Sequence, residues 1–167
     1  ARCAFIGKTI LDSLKNIKLL TNEDIENFYL GINTVSKEIN LDYYRSKKNN
    51  SYVKFLEKYG HVRPSTYSIL TKNYRENYRT YFSSNYNYPK HNINKKLKLD
   101  KIKIKRIDNI FKKNKLKLDF MKFLNFSKLA IENREYSKLI FTKSIDEIFV
   151  NLKILSKKIK IDEKKLE

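Results

Sequence analysis

Glycine and proline are almost missing from this chain, and their scarcity limits its possible folds more than any other feature. Three glycines and two prolines occur among 167 residues. Sandwiches and barrels need turn-forming residues at nearly every strand connection, and this chain has too few of them. Hydrophobic residues make up 41% of the chain, which is enough for a folded core. The sequence therefore predicts a mainly α-helical protein, an irregular helical bundle.

Apolar residues at helical spacing place the helices along the chain. The predicted helices cover residues 2–20, 22–46, 52–59, 101–114 and 120–158. Residues 60–96 lack this periodicity and are rich in Tyr and Asn, which predicts a long irregular loop segment. We interpret residues 1–167 as a single helical domain. The chain opens directly in helical periodicity, so we expect it to be a piece of a longer multidomain protein.

Short polar signals predict where some helices begin and end. Thr21 is expected to be an N-cap, because Glu23 and Asp24 follow it in the first turn, where acids oppose the helix dipole. Ser51 is expected to cap the next short helix, and Gly60 to end it with a positive φ. These signals divide the first part of the chain into separate helices.

A formal net charge of +19 has two interpretations. Clustered Lys and Arg release counterions from phosphates, so a basic chain can bind nucleic acid. The tyrosines of "YSILTKNYRENYRTYF" would then stack on bases. We favour the alternative, in which lysines are spread over every solvated face and the tyrosines pack over the bundle.

Several function classes lack support. No apolar run approaches the roughly 20 residues of a membrane span. Cys3 is the only cysteine, which fits a reducing cytoplasm. The "GKT" at Gly7–Thr9 lacks the earlier glycine of a P-loop, because Arg2 stands there. His61 and His91 are too isolated to specify a metal site. We expect no metal or cofactor bound by this segment alone.

The stretch "FLEKYGHVRPSTY", residues 55–67, gathers several of the chain's rare residues. Pro64 stiffens the connection after Gly60, so His61 and Arg63 are presented on a rigid loop. A fixed Arg suits bidentate binding of phosphate or carboxylate, and a His exchanges protons near neutral pH. The same residues could instead only cap helices, with His61 held by a backbone carbonyl. The residues alone leave both interpretations open.

Three blocks of the sequence resemble one protein family. "FLEKYGHVRPSTYSI", followed by "YRE", resembles the "FLEKYGHLRPGTYDI" segment and "PRYDE" element of phosphoenolpyruvate-synthase-like proteins. These belong with pyruvate phosphate dikinases and rifampicin phosphotransferases. "ARCAFIGKTILDSL" resembles an "AFIAKSLL" helix of the family, and "AIENREYSKLIFTKSIDEIF" a later helix with an "REY" motif. The blocks occur in the family's order.

The resemblance implies a role within a larger enzyme. Members have an ATP-grasp nucleotide domain, a mobile domain with a phosphorylated histidine and a helical central region, and only the central region matches this chain. The implied role is a substrate-holding and domain-coupling segment of an ATP-dependent dikinase or phosphotransferase, not catalytic alone. Its partners would be those two domains and a small-molecule phosphoryl acceptor. ATP and Mg²⁺ are implied for the full-length protein.

Carried over residue by residue, the resemblance implies a substrate-binding region. Its candidate residues are His61, Arg63, Thr66, Tyr67, Glu76, Arg134, Glu135 and Lys138. The chain departs from the family pattern at Ser65, Ser68, Lys72, Asn73 and Arg75. Two carboxylates are lost at these positions, which weakens any acid/base or metal role.

A second interpretation does not depend on the family resemblance. A free-standing basic helical module would bind nucleic acid through its charge and tyrosines, or would serve protein contacts. It is our second choice.

Overall fold

The computed structural model describes residues 2–82, 97 and 99–166. Over these residues it consists of helices, with no strand, which confirms the mainly α prediction. The helices are α1 Arg2–Asn16, α2 Asn22–Leu30, α3 Val35–Lys48, α4 Val53–Tyr59, α5 Tyr74–Tyr81, α6 Lys101–Lys113 and α7 Phe120–Lys158, followed by a 3-10 turn at Glu163–Leu166. None of these helices combines the length and apolarity needed to cross a bilayer.

The chain forms two compact units, whereas the sequence predicted a single domain. Of the described residues, the first unit holds 2–34, 97 and 99–135, and the second holds 35–82 and 136–166. Helix α7 contributes its first part to one unit and its second part to the other. Each unit has its own group of buried apolar side chains.

The first unit is built on aliphatic and phenylalanine side chains. Its buried core contains Leu11, Leu14, Leu20, Phe28, Ile32, Ile107, Phe111, Phe120, Phe123 and Leu124. Helices α1 and α7 approach closely at Gly7, where an added Cβ would lie 2.7 Å from Ser127 Oγ. Glycine is needed at that position because any side chain would push the two helices apart.

The second unit is built on aromatic rings. Helices α3, α4 and α5 pack around Tyr43, whose ring stacks on Phe82 at 4.3 Å and meets Phe55 edge-on at 5.5 Å. Tyr52 lies 4.9 Å from Tyr78, and the buried Leu139 of α7 belongs to the same cluster. Such ring pairs add to the stability that their buried area provides. Tyrosines of the "YSILTKNYRENYRTYF" stretch therefore contribute to this core.

Four described helices end without glycine in the left-handed turn that usually requires it. Lys18, Asn50, Lys115 and Lys160 have φ between 48° and 59°. In each case the next N–H donates to a carbonyl five residues back, as Leu116 does to Phe111 at 2.9 Å. This pattern is the Schellman C-cap, in which Gly normally avoids the Cβ penalty. A chain with three glycines ends these helices on lysine or asparagine instead.

Two predicted helix boundaries are wrong. The helix predicted over 22–46 is interrupted: α2 ends at Leu30 and α3 begins at Val35, with Ile32 in the first core and Ile39 in the second. The first helix ends at Asn16 instead of residue 20, since Lys18 turns the chain.

The Ser51 cap prediction is wrong, the Gly60 prediction is right in part, and the Thr21 prediction is right. Helix α4 begins after Tyr52, and Ser51 belongs to the turn that ends α3, where its N–H donates to Ser46. Gly60 is the C-cap that ends α4, as predicted, but its φ is −57° and not positive. Glycine is needed at position 60 because there is no room for a side chain: an added Cβ would lie 2.3 Å from the Leu56 carbonyl oxygen. The Thr21 cap is confirmed as a full capping box.

The segment predicted to be irregular, residues 60–96, contains helix α5 at Tyr74–Tyr81. Its start is marked by a capping box, in which Asn73 Oδ1 accepts from the Glu76 N–H and Glu76 accepts from the Asn73 N–H. Residues 83–96, which include His91 and the last part of the segment predicted to be irregular, lie outside the described residues.

Replacing Lys115 with glycine should stabilise the protein. Lys115 has a φ of 59°, and glycine adopts this conformation without the Cβ clash, so we expect Lys115→Gly to raise the free energy of unfolding by about 1 kcal/mol. Urea denaturation measures this change. Lys117→Gly is the matched control, since Lys117 has no positive φ. Glycine at that position only raises the conformational entropy of the unfolded chain, which lowers stability. Equal effects of the two substitutions would contradict the explanation.

Candidate functional site

The loop between α4 and α5, residues 60–73, is closed at its base by backbone hydrogen bonds. The Tyr74 N–H donates to the Val62 carbonyl at 2.9 Å, and the Arg75 N–H donates to the Gly60 carbonyl at 3.0 Å. A loop of this length whose ends meet is a compact Ω-type loop, a kind that is frequently functional. It contains most of the rare-residue motif.

Arg63 points back into the second unit and is almost fully buried. One guanidinium nitrogen donates to the carbonyl oxygen of Thr71, across the same loop. The other donates to Asp146 Oδ1 of α7 at 2.5 Å. The guanidinium also lies over the ring of Phe149, 5.4 Å from its centre. Arg63 therefore fastens the loop to α7.

Asp146 is the buried acid that accepts the second of these bonds, and it also accepts from another donor. The Asn73 side-chain amide donates to Asp146 Oδ1 at 3.0 Å. Asn73 is also the N-cap of α5. The carboxylate thus fixes both the beginning of the loop, through Arg63, and its end, through Asn73. A buried charge is tolerated only when it is paired and hydrogen-bonded in this way.

His61 makes a third connection between the loop and α7. Its ring is buried, and Nε2 lies 3.0 Å from the carbonyl oxygen of Leu139, to which it donates. Burial lowers the pKa of His61 below its usual value, and the nearby Lys143 and Arg75 add to this lowering, against the hydrogen bond to Leu139 and the charge of Asp146. The neutral imidazole is therefore the favoured form near pH 7.

We call these five residues, His61, Arg63, Asn73, Leu139 and Asp146, the loop clasp. Arg63 NH1 and NH2 and His61 Nε2 bond within the protein. The clasp joins the second and third of the three resembling blocks. Its ion-paired residues, Arg63 and Asp146, are 83 residues apart in the sequence. These hydrogen bonds attach the loop rigidly to α7. This arrangement agrees with the interpretation in which His61 and Arg63 have only a structural role.

The tip of the loop faces solvent. Tyr67 is 70% exposed, and Thr66 is partly exposed beside it. Pro64 and Ser65 are exposed as well. A ligand can reach these side chains, whereas it cannot reach the buried clasp.

The remaining predicted site residues are spread over both units. Glu76 caps α5, and Lys138 is exposed on α7. Arg134 and Glu135 belong to the first unit, where they form an ion pair at 2.8 Å and Arg134 lies over the ring of Phe5. The structure thus connects Arg63 and Glu76 through Asp146 and Asn73, while His61 bonds to α7 separately, at Leu139. Substrate binding by any of these residues stays a prediction.

Asp146, the central residue of the clasp, is not among the site residues predicted from the sequence. It lies inside the block "AIENREYSKLIFTKSIDEIF" and on the same helix face as Leu139 and Phe149. An acid on an inward helix face needs a buried cationic partner. That signal calls for a partner but does not name one, because Arg63 is distant in sequence.

Comparison with protein-family models, with curated proteins and with solved structures finds no match for this chain. The family resemblance therefore stays a prediction carried by the three sequence blocks.

Breaking the buried ion pair on one side should strongly destabilise the protein. We expect Arg63→Met to lower the free energy of unfolding by about 3 to 5 kcal/mol, because it leaves Asp146 charged and buried. Arg63→Met with Asp146→Leu should cost less than the sum of the two single changes. Arg75→Met is the control, since Arg75 is exposed on α5. Additive costs in urea denaturation would show that the pair is not coupled.

The stability of the protein should fall as the pH drops below about 6.5, the usual pKa of histidine. The folded-state pKa of His61 is lowered, so the unfolded chain binds its proton first. The contribution of His61 is complete above the unfolded pKa and is lost as the pH falls through the folded pKa. In His61→Gln the amide can donate to Leu139 but does not titrate, so its stability should depend less on pH between 7 and 5. Identical pH profiles in thermal denaturation would exclude this role.

Proposed function

We propose that this chain is the central helical segment of a phosphoenolpyruvate-synthase-like, ATP-dependent phosphotransferase. One observation carries the proposal: the two resembling blocks of the second unit meet through the Arg63–Asp146 pair, a buried contact between residues far apart in sequence. Blocks that resemble one family and also form one buried network are expected to belong to a common structural element.

In this proposal the clasp acts as a positioning device. It holds the root of the loop against α7, so that Thr66 and Tyr67 are presented from a fixed base. Phosphoryl transfer depends mainly on positioning and charge neutralisation. A loop held in one conformation costs less entropy to order when the phosphoryl acceptor or the phosphohistidine domain binds. Thr66 and Tyr67 are therefore the predicted site residues we assign to direct contact.

The rest of the chemistry would come from the partner domains. The ATP-grasp domain would supply ATP and Mg²⁺, and the phosphohistidine domain would carry the phosphoryl group to the acceptor held beside this segment. The high net charge of +19 suits an anionic partner of this kind. We place the protein in the cytoplasm, where such enzymes find ATP.

The gene provides the direct test. We expect the DNA flanking this segment to encode an ATP-grasp domain and a phosphohistidine domain, in the same reading frame or a neighbouring one. In that protein, Tyr67→Ala should lower phosphoryl transfer at least tenfold without changing the melting temperature, since Tyr67 buries little surface. Tyr44→Ala, at an exposed tyrosine outside the resembling blocks, is the control. Stop codons close to both ends of the segment would overturn the proposal.

A second function is favoured by the charge alone. If the chain is a free-standing nucleic-acid-binding module, its affinity for duplex DNA or RNA should fall steeply and linearly with salt on a logarithmic plot. Fluorescence anisotropy at several salt concentrations measures this slope. Weak binding with a shallow slope would leave the phosphotransferase segment as the function.

A further inference from the structure

The described residues of the second unit leave an apolar stripe along helix α7 largely exposed. The stripe, which we call the α7 seam, consists of Phe141, Ile145, Ile148, Leu152 and Leu155 of α7 and of Ile159, the first residue after the helix, whose N–H still donates to the Leu155 carbonyl. Ile145 and Leu152 are partly buried. The spacing alternates between four and three residues, which is the heptad pattern of a coiled coil. Phe141, Ile148, Leu155 and Ile159 are each at least half exposed, at 58%, 56%, 50% and 53%.

The seam is distinct from the face that packs inward. Leu139, Asp146 and Ser156 are buried on that inward face. At about 100° per residue, the centre of the seam lies roughly a third of a turn away from it. The seam is therefore a second apolar face of α7 and is not part of the clasp.

Charge is kept away from the seam in a chain of which 33% is charged. Between residues 141 and 156 the charged side chains are Lys143, Asp146, Glu147 and Lys153, all at heptad positions that do not flank a coiled-coil contact. On the flank of the seam that faces away from the inward side of α7, Ser144 and Asn151 are uncharged, and the first charge is Lys158 at the end of the seam. A solvated helix face in so basic a protein would be expected to carry lysines here.

We propose that the α7 seam binds a second copy of this chain in an antiparallel, two-fold symmetric coiled coil. The seam is palindromic about residue 150: Phe141 would face Ile159 of the second copy, Ile145 would face its Leu155, and Ile148 its Leu152. Every apolar side chain then meets an apolar partner. A contact that repeats under a two-fold axis is the commonest kind of homodimer interface.

Charge at the end of α7 selects the antiparallel arrangement. Lys157, Lys158 and Lys160 surround the last residue of the seam, Ile159, and a parallel pair would bring both sets together. The antiparallel pair separates them by nearly the length of the seam, about 28 Å for 19 residues. Pairing two such stripes buries on the order of 1,000 Å² in total, the low end for specific interfaces. We therefore expect a dimer at micromolar concentrations of protein.

Sedimentation equilibrium of the full chain and of two matched variants tests the dimer. Leu155 and its neighbour Ile154 are similarly exposed, at 50% and 48%, but only Leu155 lies on the seam. We expect Leu155→Glu to raise the dissociation constant at least tenfold, and Ile154→Glu, with the same change of charge, to leave it nearly unchanged. Ile148→Glu is a second seam variant, and circular dichroism checks that each variant is folded. A wild-type chain that stays monomeric, or equal effects of the two neighbouring substitutions, would overturn the proposal.

Distances between spin labels test the orientation. With Cys3 replaced by serine and Lys157 by cysteine, labels at position 157 would be offset along the axis by about 21 Å in the antiparallel pair. In a parallel pair the offset is close to zero, and that result would overturn the antiparallel arrangement.

Discussion

The buried ion pair between Arg63 and Asp146 is the interaction on which the second unit depends. Two charges removed from water are stable only as a pair with most of their hydrogen bonds satisfied, and of the three guanidinium nitrogens of Arg63 only Nε is buried without a partner. Arg63 therefore fixes the course of the loop, and Asp146 fixes which face of α7 turns inward. Asn73 connects the same carboxylate to the start of α5. The loop, the helix cap and the orientation of α7 are three consequences of one pair.

The departures from the family pattern follow the same division between buried and exposed positions. Ser65, Lys72 and Arg75 are exposed, and Ser68 is partly exposed. Tyr59, Gly60, His61, Arg63 and Ile69, which agree with the pattern, are all buried. Asn73 is a buried departure that still donates to Asp146. Pro64, Tyr67 and Glu76 also agree with the pattern and are exposed, so burial accounts for only part of the agreement.

Some local signals in the sequence predicted local structure. The Thr21 capping box joins residues three apart, and the start of α7 follows Asp119, whose side chain accepts from the Lys122 N–H. The break between α2 and α3 could not be predicted in this way, because it depends on which core each apolar residue joins. The ion-pair partner of Arg63 could not be predicted for the same reason. It is set by how the chain folds back on itself, and a sequence pattern read within one segment does not contain it.

The aromatic core of the second unit also gives the protein a natural optical probe. The chain has no tryptophan, and among the described residues the first unit contains a single tyrosine, Tyr29, whereas the second unit contains nine. Tyrosine fluorescence and near-ultraviolet circular dichroism therefore report almost entirely on the second unit, while far-ultraviolet signals follow the helices of both. Recorded during one denaturation, the two signals distinguish units that unfold together from units that unfold one after the other.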